Sequence, residues 1–320
     1  MKDALAIVLF VLAVGAAALY FDSGVALNFI MMALYATLMA QAWNMLGGFG
    51  GQFSFGHALF FGSGAYVQAM AQLQGGINAW VALLLAICAA AGVGAFVGAL
   101  AFRYGLKGSY FALITLAFAE VFRILALSLP FTGAGVGLML PLQAATSNLQ
   151  FASPRGYALL LLAFVALALG VTAWMRHSRF GAQLQAVRDN EDAARALGID
   201  PLRTKLGACV LSAAFMGAAG ACYLQMFQYI DPAIAFGPTT SVEALLGAIV
   251  GGMGTLWGPV LGALALHALS DLTRNLFGAL PGINMVIYGV VLVLIVMFMP
   301  RGIAGIGRSV RTLWKGGRRG

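Results

Sequence analysis

The sequence predicts an all-α, polytopic transmembrane helical bundle of about ten spans, and three observations carry that reading. Hydrophobic residues make up 62% of the 320, and mean hydropathy is +0.93, far beyond soluble globular usage. Apolar runs of about 20 residues, enough to cross a hydrocarbon core, recur along the chain. Charged residues amount to 9% and gather between the runs, as loops at a membrane surface require.

The first run, 4–20, follows Lys2 and lacks a small-x-small cleavage site before Phe21 and Asp22, so it is kept as a span. Further cores fall at 27–46, 53–73, 79–101, 109–129, 156–175, 205–228, 241–254, 259–277 and 283–299. Arg103 and Lys107 follow the fourth span; Arg176, Arg179, Arg188, Arg195, Arg203 and Lys205 follow the start of the polar segment after the sixth. Arg301, Arg308, Arg311, Lys315, Arg318 and Arg319 follow the tenth, whereas the stretch from Pro130 to Arg155 holds Arg155 as its one basic residue. The positive-inside tendency puts these clusters and both termini in the cytoplasm. The expected organisation is one transmembrane domain, 1–320, with a cytoplasmic segment at 176–204 and a basic tail at 301–320. The net charge of +8 reads as topology and attraction to anionic lipid, with no nucleic acid implied. Cys88, Cys209 and Cys222 lie in apolar stretches without metal or redox spacing, so they read as packing residues. No metal or cofactor is expected.

The one long polar stretch inside the chain runs from Arg176 to Arg203. Asp189 and Asn190 suit a helix N-cap, and Glu191 and Asp192 place negative charge in the first turn. Ala194 and Arg195 continue a strong helix former, Gly198 is placed as a C-cap, and Pro201 follows. A capped helix at the cytoplasmic surface reads as a docking element, with Arg188 at its approach; the plain alternative is a solvated loop.

Glycine breaks the apolar pattern twice, between Asn44 and Tyr66 and between Gly251 and Ala263. Gln52, Ser54, Gly56, His57, Gly62, Gly64, Gly251, Gly252 and Gly254 are therefore candidates for a translocation path or a contact with a second permease. Tight packing of small-residue helix faces explains the same composition equally well. A five-plus-five inverted repeat is not evident, because the two stretches do not fall at matching positions.

Inside the spans, Glu120 and Arg123 are three apart, hence on one helical face, and read as a structural ion pair facing the bundle interior. Asp271 and Arg274 repeat the spacing near a span end, where snorkelling is cheap. A secondary transporter needs ion-coupling carboxylates at mid-membrane, and Glu120 is the only deep candidate. The chain has no G-x-x-x-x-G-K-[ST] and no H-E-x-x-H, so neither P-loop nucleotide hydrolysis nor zinc proteolysis is encoded. Ser63, flanked by Gly62 and Gly64, with His57 and His267 elsewhere, faintly suggests an intramembrane serine hydrolase; so short a match in a chain with 42 glycines carries no weight. No catalytic residue is expected.

Six stretches in order resemble one family: Asn44 to Tyr66, Gly108 to Glu120, Ser178 to Asp200, Lys205 to Gly220, Gly251 to Gly262, and Met299 to Gly305. Together they are similar to the LivM-type permease of branched-chain amino-acid ABC importers. The resemblance implies an ABC importer permease fold in a bacterial inner membrane. It also implies a second, LivH-like permease, two cytoplasmic ABC ATPase subunits, and a periplasmic binding protein delivering leucine, isoleucine or valine. By the same resemblance, Arg188 to Gly198 looks like the coupling helix that enters a groove of an ATPase subunit. The chain departs from the family in T132-G-A-G-V-G-L138, where Ala134 and Val136 stand in places that often hold Gly and Asp. Relatives carrying urea or short amides therefore stay as an alternative.

Overall fold

The computed structural model describes residues 2–277 and the isolated positions 286, 287, 289, 290, 293, 302 and 303. Helix α1 (Lys2–Tyr20) leads to α2 (Gly24–Trp43), which continues into a π-helical turn, Asn44–Phe49. An irregular segment, 50–56, precedes α3 (His57–Leu73). Helices α4 (Ala79–Arg103) and α5 (Gly108–Ser128) follow, then a connection of short 3-10 turns, and α6 (Pro154–His177). The polar stretch forms α7 (Arg179–Asp189) and α8 (Glu191–Ala196), after which come α9 (Pro201–Phe227), α10 (Pro232–Phe236), α11 (Pro238–Gly251) and α12 (Gly258–Phe277). Two short strands, β1 (Leu138–Met139) and β2 (Tyr229–Ile230), pair antiparallel with Leu138 opposite Ile230.

Among the described residues, six helices are long and apolar enough to cross a membrane: α1, α2 with its π turn, α4, α5, α6 and α9. The all-α transmembrane class stands, but the expected spans at 53–73, 241–254 and 259–277 are not among the six; α12, with 20 residues, has the length but not the apolar character. Helix α3 has 17 residues and α11 has 14. At about 1.5 Å per residue both fall short of a hydrocarbon core of about 30 Å. Each short helix adjoins an irregular segment, 50–56 or 252–257, that is partly buried, with Gln52, Ser54, Gly56, Gly252 and Leu256 inside and Phe53, Phe55 and Met253 exposed; protein-packed surroundings are what let non-helical backbone stand at membrane depth. The expected tenth span, 283–299, and the tail, 301–320, lie outside the described residues apart from the positions given above.

Helix α9 is the core of the bundle. Lipid tails are as apolar as leucine, so helix association rests on close packing, and here it rests on small residues. A Cβ on Gly64 would overlap the backbone of Gly217, one on Gly217 would strike Ala90, and one on Gly220 would overlap the Phe61 carbonyl. Trp43, Phe60, Phe61 and Phe111 fill the space around these crossings.

Ion pairs and hydrogen bonds fix the two ends. At one end Asp3 takes Arg176 at 3.2 Å and His177 at 2.8 Å, so α1 begins beside the end of α6. Gly302 lies against Gly251 and Gly252 at this same end. At the opposite end Arg155 bonds Asp22 at 2.7 Å, and the Asn78 amide donates to the Ser147 carbonyl at 3.1 Å. The basic clusters of the described chain therefore share the end that carries α7 and α8.

Candidate functional site

At the basic end the two glycine-rich breaks meet. Asn44 Oδ1 accepts the Gly254 N–H at 2.8 Å, and Asn44 Nδ2 donates to the Thr255 carbonyl at 3.0 Å. Gln41, one turn earlier on the same face of α2, donates to the Leu256 carbonyl at 2.8 Å. The turn can lie this close because Gly254 has φ +68° and a Cβ on Gly48 would overlap the Gly254 amide; L side chains rarely adopt such a φ. Side-chain amides from α2 and its π-helical continuation thus supply hydrogen bonds that the 252–257 turn cannot make within a helix.

The polar arm reaches this junction through Arg188. Its guanidinium donates to the Gly48 carbonyl at 3.3 Å, its stem lies on Gly51, and its Nε bonds Asp189 at 3.1 Å. Beyond it, the expected caps of α8 are all present as local geometry. Asn190 is the N-cap, its side chain accepting from the amides of Asp192 and Ala193 at 3.1 and 3.0 Å. At the other end Ile199 N–H reaches the Ala194 carbonyl and Gly198 N–H the Arg195 carbonyl, a Schellman closure that requires the left-handed φ of +81° seen at Gly198.

Helix α8 has two faces. Ala194 is buried, and Glu191 points inward, bonding Lys205 at 2.6 Å and pairing with Lys107 at 3.3 Å. Lys205 is itself 4% exposed. Burial pushes the Glu191 carboxyl up, but the Lys205 hydrogen bond and charge, with Lys107, outweigh it and hold the group below its ordinary value. Glu191 is thus an anchor to the α4–α5 turn and α9, and not an outward docking charge. The outward face carries Asp192, Arg195 and Leu197, the last 81% exposed. Arg195 also pairs back to Glu191 at 3.4 Å.

The candidates around α3 lie inside this chain. A Cβ on Gly56 would overlap the Thr115 carbonyl of α5, one on Gly62 would meet the Phe236 ring, and Gly64 crosses Gly217. Gly251 packs on Gly258 and Gly262, while Gly252, with φ +116°, ends α11. Gln52 Nε2 donates to the Gly50 carbonyl at 3.3 Å, and Ser54 Oγ accepts the Gly56 N–H at 3.2 Å. The Trp43 indole holds the Ser54 carbonyl at 2.9 Å. His57 is fully buried, with Nε2 2.8 Å from Ser212 Oγ. Because the Ser212 hydroxyl donates to the Ala42 carbonyl at 2.7 Å, it accepts from His57, which ties α3 to α9 and α2. Ser63 donates to its own helix at Leu59, 2.7 Å. Close packing inside one subunit is what these positions do structurally.

Glu120 and Arg123 pair as expected, through two hydrogen bonds of 2.6 and 2.8 Å, but not in the bundle interior. Their side chains are 46% and 30% exposed, because α5 buries the face of Phe111, Ala112, Thr115 and Ala119 instead. The side chain of Arg274, expected beside Asp271, lies outside the described residues.

A cavity of about 390 Å³ opens among α2, α9, α11 and α12 in the half of the bundle away from the basic end. Glu243 of α11 faces it, which corrects the reading of Glu120 as the only deep carboxylate. Gly247 of α11, which lines the cavity, packs closely on Ala40 and Ala263, and Asn44 lies one turn further along the chain from Ala40.

A family model described as branched-chain amino acid transport system / permease component matches residues 25–296. The LivM permease protein of a high-affinity branched-chain amino acid transport system in Escherichia coli is 29% identical over 302 residues, covering 87% of this chain and 69% of its own. Its Salmonella typhimurium counterpart is 28% identical over 314 residues, with 90% and 72% covered. A probable branched-chain amino acid transport permease protein LivH of Methanocaldococcus jannaschii is 29% identical over 147 residues, 44% of this chain and 46% of that one. No solved structure matches. Since the matched residues run through every described element from α2 to α12, including both glycine breaks and the capped arm between α6 and α9, the chain belongs to the permease components of branched-chain amino acid transport systems.

Proposed function

We propose that this chain is the LivM-type permease subunit of an ATP-driven importer that moves leucine, isoleucine and valine across a bacterial inner membrane. It works as a single transmembrane domain beside a second, LivH-like permease, above two cytoplasmic ATPase subunits and below a periplasmic binding protein. In this reading the basic end, with both termini, is cytoplasmic, as the positive-inside tendency favours. The exposed edge of α5 bearing Glu120 and Arg123 is the surface offered to the second permease.

One observation carries the mechanism: the bond from Arg188 to the Gly48 carbonyl. The outer face of α8 docks on an ATPase subunit, and the inner face is pinned by Glu191 to Lys205 and Lys107. Movement of that arm pulls on Gly48, one turn beyond Asn44, and so on the turn that Asn44 holds. The contact of Gly247 with Ala40 is the element that must part for a substrate to pass from the cavity to the cytoplasm. Allosteric transmission of this kind requires contiguous contacts between two arrangements, and this set is contiguous.

The test is purification of the tagged chain in mild detergent from cells expressing the whole transporter, followed by reconstitution. A second permease and two ATPase subunits are expected to copurify, and leucine uptake is expected to need ATP and the loaded binding protein. Leucine uptake by the chain alone, driven by an ion gradient, would overturn the reading; uptake of urea in place of leucine would move it to the amide carriers.

A further inference from the structure

The cavity between α2, α9, α11 and α12 has a wall chemistry of its own. Among the described residues its lining includes two carboxylates, Glu243 and Asp271, with His267, and no Lys or Arg. Beside them stands an aromatic group. Tyr35 and Tyr223 lie 5.9 Å apart between ring centroids, Phe61 lies 5.6 Å from Tyr223, and Phe227 lies 4.6 Å from it. All four of these rings line the cavity. Among the described residues no hydrogen bond or ion pair engages the Glu243 carboxylate. A carboxylate at membrane depth is costly unless a partner or water meets it, and by default it marks a ligand pathway.

We infer that this cavity is a transit site for the ammonium group of a small apolar molecule, with Glu243 as its counter-charge and the Tyr35, Phe61 and Tyr223 rings as its cation-facing wall. Rings of this kind attract an ammonium through their faces, most strongly where water is scarce. A cavity of about 390 Å³ suits a ligand of amino-acid size, being at the lower end of the range for small-molecule sites. The apolar part of the ligand lies against Met32 and Leu246, on the walls that α2 and α11 contribute. An uncharged amide or urea can donate N–H bonds to the carboxylate, but it brings no charge to balance it and no cation for the rings. The site therefore selects, within the proposed transport function on which it rests, the amino-acid reading over the amide one.

Ser270 lines the same cavity and provides a probe independent of transport. In the whole reconstituted complex, with Cys88, Cys209 and Cys222 replaced by Ala, Ser270→Cys is treated with a small methanethiosulfonate and its modification rate is measured. Leucine and isopentylamine are expected to slow modification, and 4-methylpentanamide, of similar size and without the ammonium, is not. Glu243→Gln is expected to raise the protecting leucine concentration at least about tenfold while the complex still copurifies with its ATPases. If that variant fails to assemble, the contrast between isopentylamine and 4-methylpentanamide in the Glu243 protein decides. Equal protection by amine and amide, or no protection by any of the three, would overturn the site. Normal ATP-dependent leucine uptake in such a complex would show that the transit site alone had failed; leucine-independent uptake of urea would show that the transport reading had.

Discussion

Asn44, at the start of the π-helical turn that continues α2, holds Gly254 on the turn into α12, accepting its N–H at 2.8 Å across a sequence separation of 210 residues. The same carboxamide donates to the neighbouring Thr255 carbonyl, and the next turn of backbone, at Gly48, accepts from Arg188. One side chain therefore stands between the polar arm and the break between α11 and α12.

Replacing Asn44 with Leu leaves the Gly254 donor and the Thr255 acceptor without their partner. Each buried, unsatisfied group costs about 1–3 kcal/mol. The melting temperature of the detergent-solubilised complex is expected to fall in Asn44→Leu and to fall less in Asn44→Asp, which keeps the acceptor for Gly254. An unchanged melting curve for Asn44→Leu would show that the junction is not held this way.

Glycine packing yields a second expectation. Gly56→Leu and Gly64→Leu push a side chain into backbone, at Thr115 and Gly217, so helices rather than side chains must move, and little folded protein is expected by size-exclusion profile. A substitution at Gly92, where a Cβ meets nothing within 4 Å, should leave the profile intact. Normal yield and normal uptake for Gly64→Leu would contradict the α3–α9 crossing.

The Glu191 anchor is pH-dependent, with a definite sign. Its folded value lies below its ordinary one, so its stabilisation is fully present above the unfolded value of about 4.3 and is lost as pH falls below that through the folded value. Amide exchange or limited proteolysis within 189–200 is expected to rise on acidification through this window. In Glu191→Gln the segment should be already loosened at pH 7 and indifferent to that titration. A Gln variant as protected as the parent at neutral pH would show that Lys205 and Lys107 do not pin the helix.

Much of this site was legible in the sequence where the chemistry is local. Asn190, Gly198 and Pro201 mark the boundaries of α8 because capping depends on a few adjacent residues. The two glycine breaks were equally visible, but not their meeting, since nothing near Asn44 in the chain announces a partner 210 residues away. The inward aim of Glu191 escaped for a similar reason: first-turn reasoning treats a helix alone, while Lys205 belongs to the next one. Glu120 and Arg123 showed their pairing through the i,i+3 spacing but not their face, which depends on the helices around α5. Glu243 was readable as a carboxylate inside the expected span 241–254, but its exposure to a cavity depends on α2, α9 and α12 around it. Helix α10, with five residues, is too short for any periodicity to reveal.

Topology can be checked by labelling in a background with the three cysteines replaced. Ser147→Cys, beside Asn78 at the end away from the basic clusters, is expected to react with an impermeant maleimide from the periplasmic side. Ser178→Cys, at the start of α7, is expected to react only after the membrane is opened. The reverse pattern would invert the bundle.

In the proposed mechanism coupling runs from α8 through Arg188 to Gly48, and its most direct measurement is the ratio of leucine transported to ATP hydrolysed in proteoliposomes carrying Ala194→Pro. Proline there removes the Ala194 N–H that bonds the Asn190 carbonyl at 3.0 Å and clashes within the turn, at a cost of about 3 kcal/mol or more. Helices held by the α9 crossings should stay folded. Arg188→Ala, which cuts the link to Gly48 without touching α8, serves as the second variant. Both are expected to lose uptake at least about tenfold, Arg188→Ala while the complex still hydrolyses ATP, so that the ratio collapses. A parental ratio in both variants, with the helix shown by hydrogen exchange to be broken in the first, would contradict the coupling role and return α8 to a connecting loop.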